Sequence, residues 1–210
     1  MDDDQQLEVA APIDRGVGSS VDSFADSFAD RPPVAVGSAL RASARCAAAT
    51  AALLARRQTH LPRSLVGRRL RFADGTTSWI YRETMVDREE VREPCLLVVG
   101  FRLRYVRGVG HRLFRWESLL NTVLFLGYPG LGRKLWLAAD ERGTYRGIYD
   151  WDGAHRADRY ARSLWWALAL VCPPRSIRYV VVPGHDRDQL LAGAVPATPV
   201  DGDGWWRIVT

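Results

Sequence analysis

Hydrophobic residues change their spacing several times along the chain, and each change marks an element. Ser38–Leu54, SALRASARCAAATAALL, repeats small apolar residues around Arg41 and Arg45. This predicts an Ala-rich helical unit over 37–60, with the helix reaching about Arg57. Arg68–Val86 alternates instead: Leu70 and Phe72 between Arg69 and Arg71, then Trp79 and Tyr81 between Ile80 and Arg82, about an Asp74-Gly75 turn. That period of two predicts a β-hairpin within 61–94, followed by the charged linker Asp87–Glu93.

Residues 95–185 carry the densest pattern. Cys95–Val106 opens as a continuous apolar run and ends alternating, as a central strand does. His111–Leu126 places Leu113, Trp116, Leu120, Val123 and Leu124 at helical spacing and stops at Gly127-Tyr128-Pro129-Gly130. Arg133–Asp140 and Thr144–Trp151 form a second hairpin. Asp152 is placed to cap a helix over Gly153–Val171, with its apolar stripe at Ala157, Ala161, Leu164, Leu168 and Val171. Ser176–Val182 is a last strand. The order β-α-β-β-α-β predicts an α+β fold: a ferredoxin-like antiparallel sheet with its helices on one face, preceded by the N-terminal hairpin and the Ala-rich helix. The C-terminal extension, 186–210, ends in Gly204–Thr210, GWWRIVT, read as an added strand or a docking tail able to pair with the Arg68–Val86 hairpin.

Charge divides the chain. It holds 29 Lys+Arg and 24 Asp+Glu, a net +5. Residues 1–33 carry eight acids against two bases, a net −6, so the remainder carries +11. With few large apolar residues, 1–36 reads as a flexible acidic tail. Its first residues, Met1-Asp2-Asp3-Asp4, are the opposite of a basic secretory n-region. Cys46, Cys95 and Cys172 are odd in number and form no CxxC pair, which points to a reducing cytoplasm. The two arginines of the Ala-rich stretch argue against a membrane span. Basic residues are almost all arginine, 28 against the single Lys134, which reads as coding bias. No aromatic RNA-binding string accompanies them, so no nucleic-acid partner is expected.

Phosphate-loop, GxSxG and metal-spaced histidine motifs are missing from this sequence, so neither a cofactor nor a metal is expected. A four-stranded sheet with helices on one side leaves the other face bare, and a second copy packed sheet to sheet would cover it. His111 is a candidate general base, with a first-turn solvent histidine as the alternative. Tyr145, Gly147, Tyr149 and Trp151 share one strand face. They form either a substrate wall, with Tyr149 donating to a carbonyl or enolate oxygen, or packing beneath the helices.

The strand LLVVGFRLR, the helix RWESLLNTVLFLGYPGL and the hairpin with its Gly147-Ile148-Tyr149-Asp150-Trp151 strand end resemble the dimeric α/β-barrel superfamily, specifically antibiotic-biosynthesis monooxygenase-like proteins. The resemblance covers roughly residues 95–185. It implies a homodimeric, cofactor-independent enzyme oxygenating or cyclising an aromatic or polyketide-like molecule. It further implies that Asn121 and Trp116 position the substrate and its developing anion. The candidate set is then His111, Asn121 and Tyr149 for catalysis, with Trp116, Tyr128, Tyr145 and Trp151 for binding. A non-enzymatic ligand-binding or scaffold protein is the alternative.

Overall fold

Ten residues, Thr77–Val86, form the longest strand of the computed structural model, which describes residues 33–87, 90–104, 126–196 and 202–209. In chain order the elements are α1 (Val36–Ala55), β1 (Thr59–His60), β2 (Arg69–Phe72), β3 (Thr77–Val86), β4 (Pro94–Arg102), β5 (Leu131–Leu137) and β6 (Thr144–Asp152). There follow α2 (Ala154–Val171), a 3-10 turn (Pro174–Ser176), β7 (Arg178–Pro183), α3 (Arg187–Leu191) and β8 (Ile208–Val209). The strands make one antiparallel sheet in the order β7-β4-β6-β5-β3-β2-β8, with β1 also on β3, and it curls into half a barrel.

This overturns the ferredoxin-like fold, and with it the dimeric α/β barrel. The expected sheet ends at β5. An edge strand offers unpaired N–H and C=O groups, and β3 takes them, pairing Thr84 with Lys134 and Glu83 with Leu135. The hairpin read as a separate unit is therefore a continuation of the same sheet. Periodicity reports which positions face a core but not which strand pairs with which. The C-terminal pairing does form, with Arg71 opposite Val209 and Phe72 opposite Ile208.

Nor do the helices keep to one face. One apolar layer joins alternate sheet residues Leu97, Val99, Tyr149, Trp151 and Val181 to α2 and to Cys46 of α1. The other joins Leu96, Val98, Leu135, Ile148 and Val182 to Leu190 and Leu191 of α3 and to Val195, Trp205, Trp206 and Ile208. The face expected to be bare is thus covered by the chain's own C-terminal segment. That removes the reason for a sheet-to-sheet dimer.

α2 starts at Ala154 behind Gly153, whose φ of 99° suits glycine, so Asp152 is not its cap. Instead Asp152 ends β6 and accepts hydrogen bonds from the Arg92 and Glu93 amides at 3.1 and 2.9 Å. α1 is shorter than expected because Thr59–His60 pairs with β3 as a strand. It buries only small residues, Ala39, Cys46 and Thr50. Thr50 Oγ1 donates to Cys46 O at 2.9 Å and accepts from the Gly127 amide at 2.8 Å, tying α1 to the loop before β5. Among the described residues no helix is long and apolar enough to cross a membrane.

Candidate functional site

The helix-side face of the sheet centre carries the most unusual chemistry in the molecule. β5 sends Leu135 and Leu137 into the C-terminal core, so Lys134 and Trp136 face the helices. The register sets Lys134 between Thr84 of β3 and Tyr149 of β6. The chain's only lysine is therefore 4% exposed. Its Nζ lies 3.1 Å from the Trp136 ring centre and 4.7 Å from that of Tyr149. The guanidinium of Arg82 stands 5.5 Å from the same Trp136 ring, and Trp136 Nε1 donates to Thr84 Oγ1 at 3.3 Å. No hydrogen bond or ion pair joins the Lys134 side chain to a described residue.

A buried ammonium without an anion is costly, so burial drives Lys134 well below its ordinary value, and the charge of Arg82 adds to the shift. The ring of Trp136 offsets part of this by attraction to a cation, worth about 0.5–2 kcal/mol. Burial also pushes the Tyr149 and Tyr160 hydroxyls upward, so both stay protonated. The face thus sets an amine whose proton is held less tightly than usual beside phenolic O–H groups. That is an acceptor for a proton next to donors for an oxyanion.

Of the expected site residues, Tyr128, Tyr149 and Trp151 come together around Tyr160 of α2. Their ring centres lie 5.1, 5.5 and 5.0 Å from its ring. This places them beneath α2, all buried. Gly147 leaves the space that the Tyr149 ring fills: a Cβ there would sit 2.7 Å from the Tyr149 Oη. Tyr145 is separate and stacks on Phe101 at 5.8 Å and 12°. His111, Trp116 and Asn121 lie outside the described residues.

Trp151 and Val86 also wall a cavity of about 540 Å³ with Met85, Cys95 and Pro94, rimmed by Arg133, Asp87, Asp150 and Asp152. Val86 and Trp151 are two residues along their strands from Thr84 and Tyr149 and on the same face. The cavity therefore ends one side-chain row, roughly 7 Å, from Lys134. A shallower groove of about 810 Å³ adjoins it, sharing Val86, Asp87, Val91 and Asp152. Burial raises the Asp150 carboxyl at the cavity rim, opposed by the Arg187 amide, which donates to it at 2.7 Å.

Other nucleophiles are quiet. All three cysteines are free and buried, with burial pushing Cys46 to about 11 and Cys95 and Cys172 to about 12. His60 pairs with Asp87 at 2.8 Å, and His185 Nδ1 lies 3.1 Å from Pro183 O. Among the described residues no group of three or more His, Cys, Asp or Glu side chains is arranged to hold a metal. Sequence reasoning missed Lys134 and Arg82. The available signal was that one lysine stands among 28 arginines, at an inward position of a strand.

Compared with known proteins, the chain matches no family model, no curated protein and no solved structure.

Proposed function

We propose that the protein is a cofactor-independent enzyme acting on a flat, hydrophobic phenolic or enolic small molecule, with Lys134 as its general base. The lone lysine amine, buried between Trp136 and Tyr149 with no anion beside it among the described residues, carries this reading. The neutral amine takes the proton of a substrate O–H or activated C–H and becomes an ammonium, leaving a substrate anion. Trp136 supports the new ammonium through its ring face, and the Tyr149 hydroxyl donates to the anionic oxygen. Forming this anion is the first step of both oxygenation and cyclisation of such rings. The cavity walled by Trp151 is the way in. The three free, buried thiols fit a reducing cytoplasm.

A second reading has one observation in its favour: Tyr128, Tyr149 and Trp151 are tightly packed. A non-enzymatic binder would use that rigidity and hold an acidic ligand without turning it over. A naphthol tests the proposal, because its absorbance shifts when its hydroxyl ionises. Bound to the protein at neutral pH it is expected to show the naphtholate band, and K134M is expected to bind it without that band. Binding with the neutral spectrum in both proteins would leave the binder reading standing and end the enzymatic one.

A further inference from the structure

A second polar cleft opens on the face of the sheet opposite to Lys134. Its volume is about 220 Å³, and Arg102, Arg142, Arg175 and Arg178 line it with Asp74 and Asp203. Strand register brings them together. Thr144 of β6 stands opposite Arg102 of β4, and Arg178 of β7 stands opposite Gly100, so all three side chains leave the same face. Ser176 fixes the turn that carries Arg175: its hydroxyl accepts from the Arg102 amide at 3.3 Å and donates to Pro173 O at 2.7 Å. Arg142, in the turn before β6, donates from Nη2 to Asp74 O at 3.2 Å.

Both carboxylates are already engaged. Asp74 accepts from the Thr76 amide and hydroxyl at 2.9 and 2.7 Å and pairs with the buried Arg146 at 3.1 Å, while Asp203 pairs with Arg178 at 3.1 Å. Arg102 and Arg175 are exposed, and neither guanidinium has an ion pair or hydrogen bond among the described residues. Four guanidiniums against two carboxylates leave an excess of two positive charges. A second, independent group points to a ligand. Thr144 is 7% exposed and lines the cleft, yet its hydroxyl makes no hydrogen bond to a described residue. A hydroxyl buried to that degree is costly without a partner, and an oxyanion in the cleft supplies one.

Size and charge define the class of ligand. Pockets for drug-sized molecules measure about 300–1,000 Å³, so this cleft suits a small group. A phosphate monoester carries about −1.5 to −2 at neutral pH, which matches the excess, and the planar fork of arginine fits its oxygens two at a time. A carboxylate brings only one charge.

We propose that the arginine cleft binds the phosphate group of a small molecule, with Arg102 and Arg175 clasping it and the Thr144 hydroxyl donating to it. Titration calorimetry of the full-length chain tests this, with inorganic phosphate as the probe and acetate as the singly charged control. Phosphate is expected to bind about tenfold more tightly than acetate, the worth of one further charge-assisted hydrogen bond. R102Q/R175Q is expected to bind phosphate at least about tenfold more weakly, and T144V about fivefold more weakly. Because Arg102 and Arg175 are exposed, their double variant is expected to keep the wild-type urea midpoint. R41Q/R45Q, which takes the same charge from the exposed side of α1, is expected to leave the affinity unchanged. Equal weakening in both double variants would overturn the proposal, because general attraction to a basic surface would then account for the binding. Equal affinities for phosphate and acetate would overturn it as well. Tighter binding of an oligothymidylate, abolished in R102Q/R175Q, would overturn the small-molecule source and make the cleft a nucleic-acid contact.

Discussion

Two buried basic side chains show how differently one sheet can hold such groups. Arg146, on the C-terminal side of β6, is 2% exposed but fully partnered. It pairs with Asp140 at 2.7 Å and Asp74 at 3.1 Å, donates to Thr76 Oγ1 at 2.9 Å and to Trp205 O at 2.8 Å, and lies over the Phe72 ring at 4.0 Å. Its five donors in a planar fork suit such a site, and its charge costs little there because two carboxylates share it. Lys134, one face away, has aromatic rings instead. The first arrangement neutralises a buried charge, and the second loosens the hold of an amine on its proton. R146M is expected to lose about 3–5 kcal/mol in urea unfolding, because two buried carboxylates lose their buried counter-ion. R146M/D74N/D140N is expected to recover most of that loss.

At the scale of elements, the C-terminal segment completes the fold. Trp205 packs so closely on β4 that a Cβ at Gly100 would sit 2.6 Å from its Cζ3. Glycine is required there by this close approach, since a side chain would lift the indole off the sheet. G100A is expected to cost about 1–3 kcal/mol, read as a lower urea midpoint, and to raise Trp fluorescence quenching by acrylamide. W205F/G100A, with a smaller ring, is expected to regain part of that loss. The individual elements were largely legible in the sequence. Alternation marked β2, β3 and β6, the Ala157, Ala161, Leu164, Leu168 stripe marked α2, and the GWWRIVT tail was placed against the Arg68–Val86 hairpin. Their assembly was not legible. Nothing in the side-chain period of Thr77–Val86 says that its partner is Leu131–Leu137, with paired residues 48 to 57 positions apart in the chain. The same limit hid the coverage of the second face, because Leu190, Leu191 and the tryptophan pair sit in segments with too few residues to show a period.

For the whole molecule, the half-barrel buries an aromatic layer on its helix side and places the Lys134 amine among those rings. The aromatic face of Tyr145, Gly147, Tyr149 and Trp151 was readable from alternation, and three of the expected residues, Tyr128, Tyr149 and Trp151, do meet around Tyr160. The amine was not readable, because its burial depends on β3 and β6 flanking β5, a property of pairing and not of local sequence. Having one lysine makes the central claim directly measurable. Nuclear magnetic resonance of protein labelled only in lysine gives a single side-chain signal, and its chemical shift reports protonation as pH is raised. Burial and Arg82 lower the native value of Lys134, whereas the unfolded chain holds its proton up to the ordinary 10.5. Between those two values the unfolded state binds more protons, so wild-type stability is expected to rise with pH across that window, and K134M is expected to lack this slope. The signal is expected to titrate well below 10.5, in step with the naphtholate band. A titration at the ordinary lysine value would contradict the account.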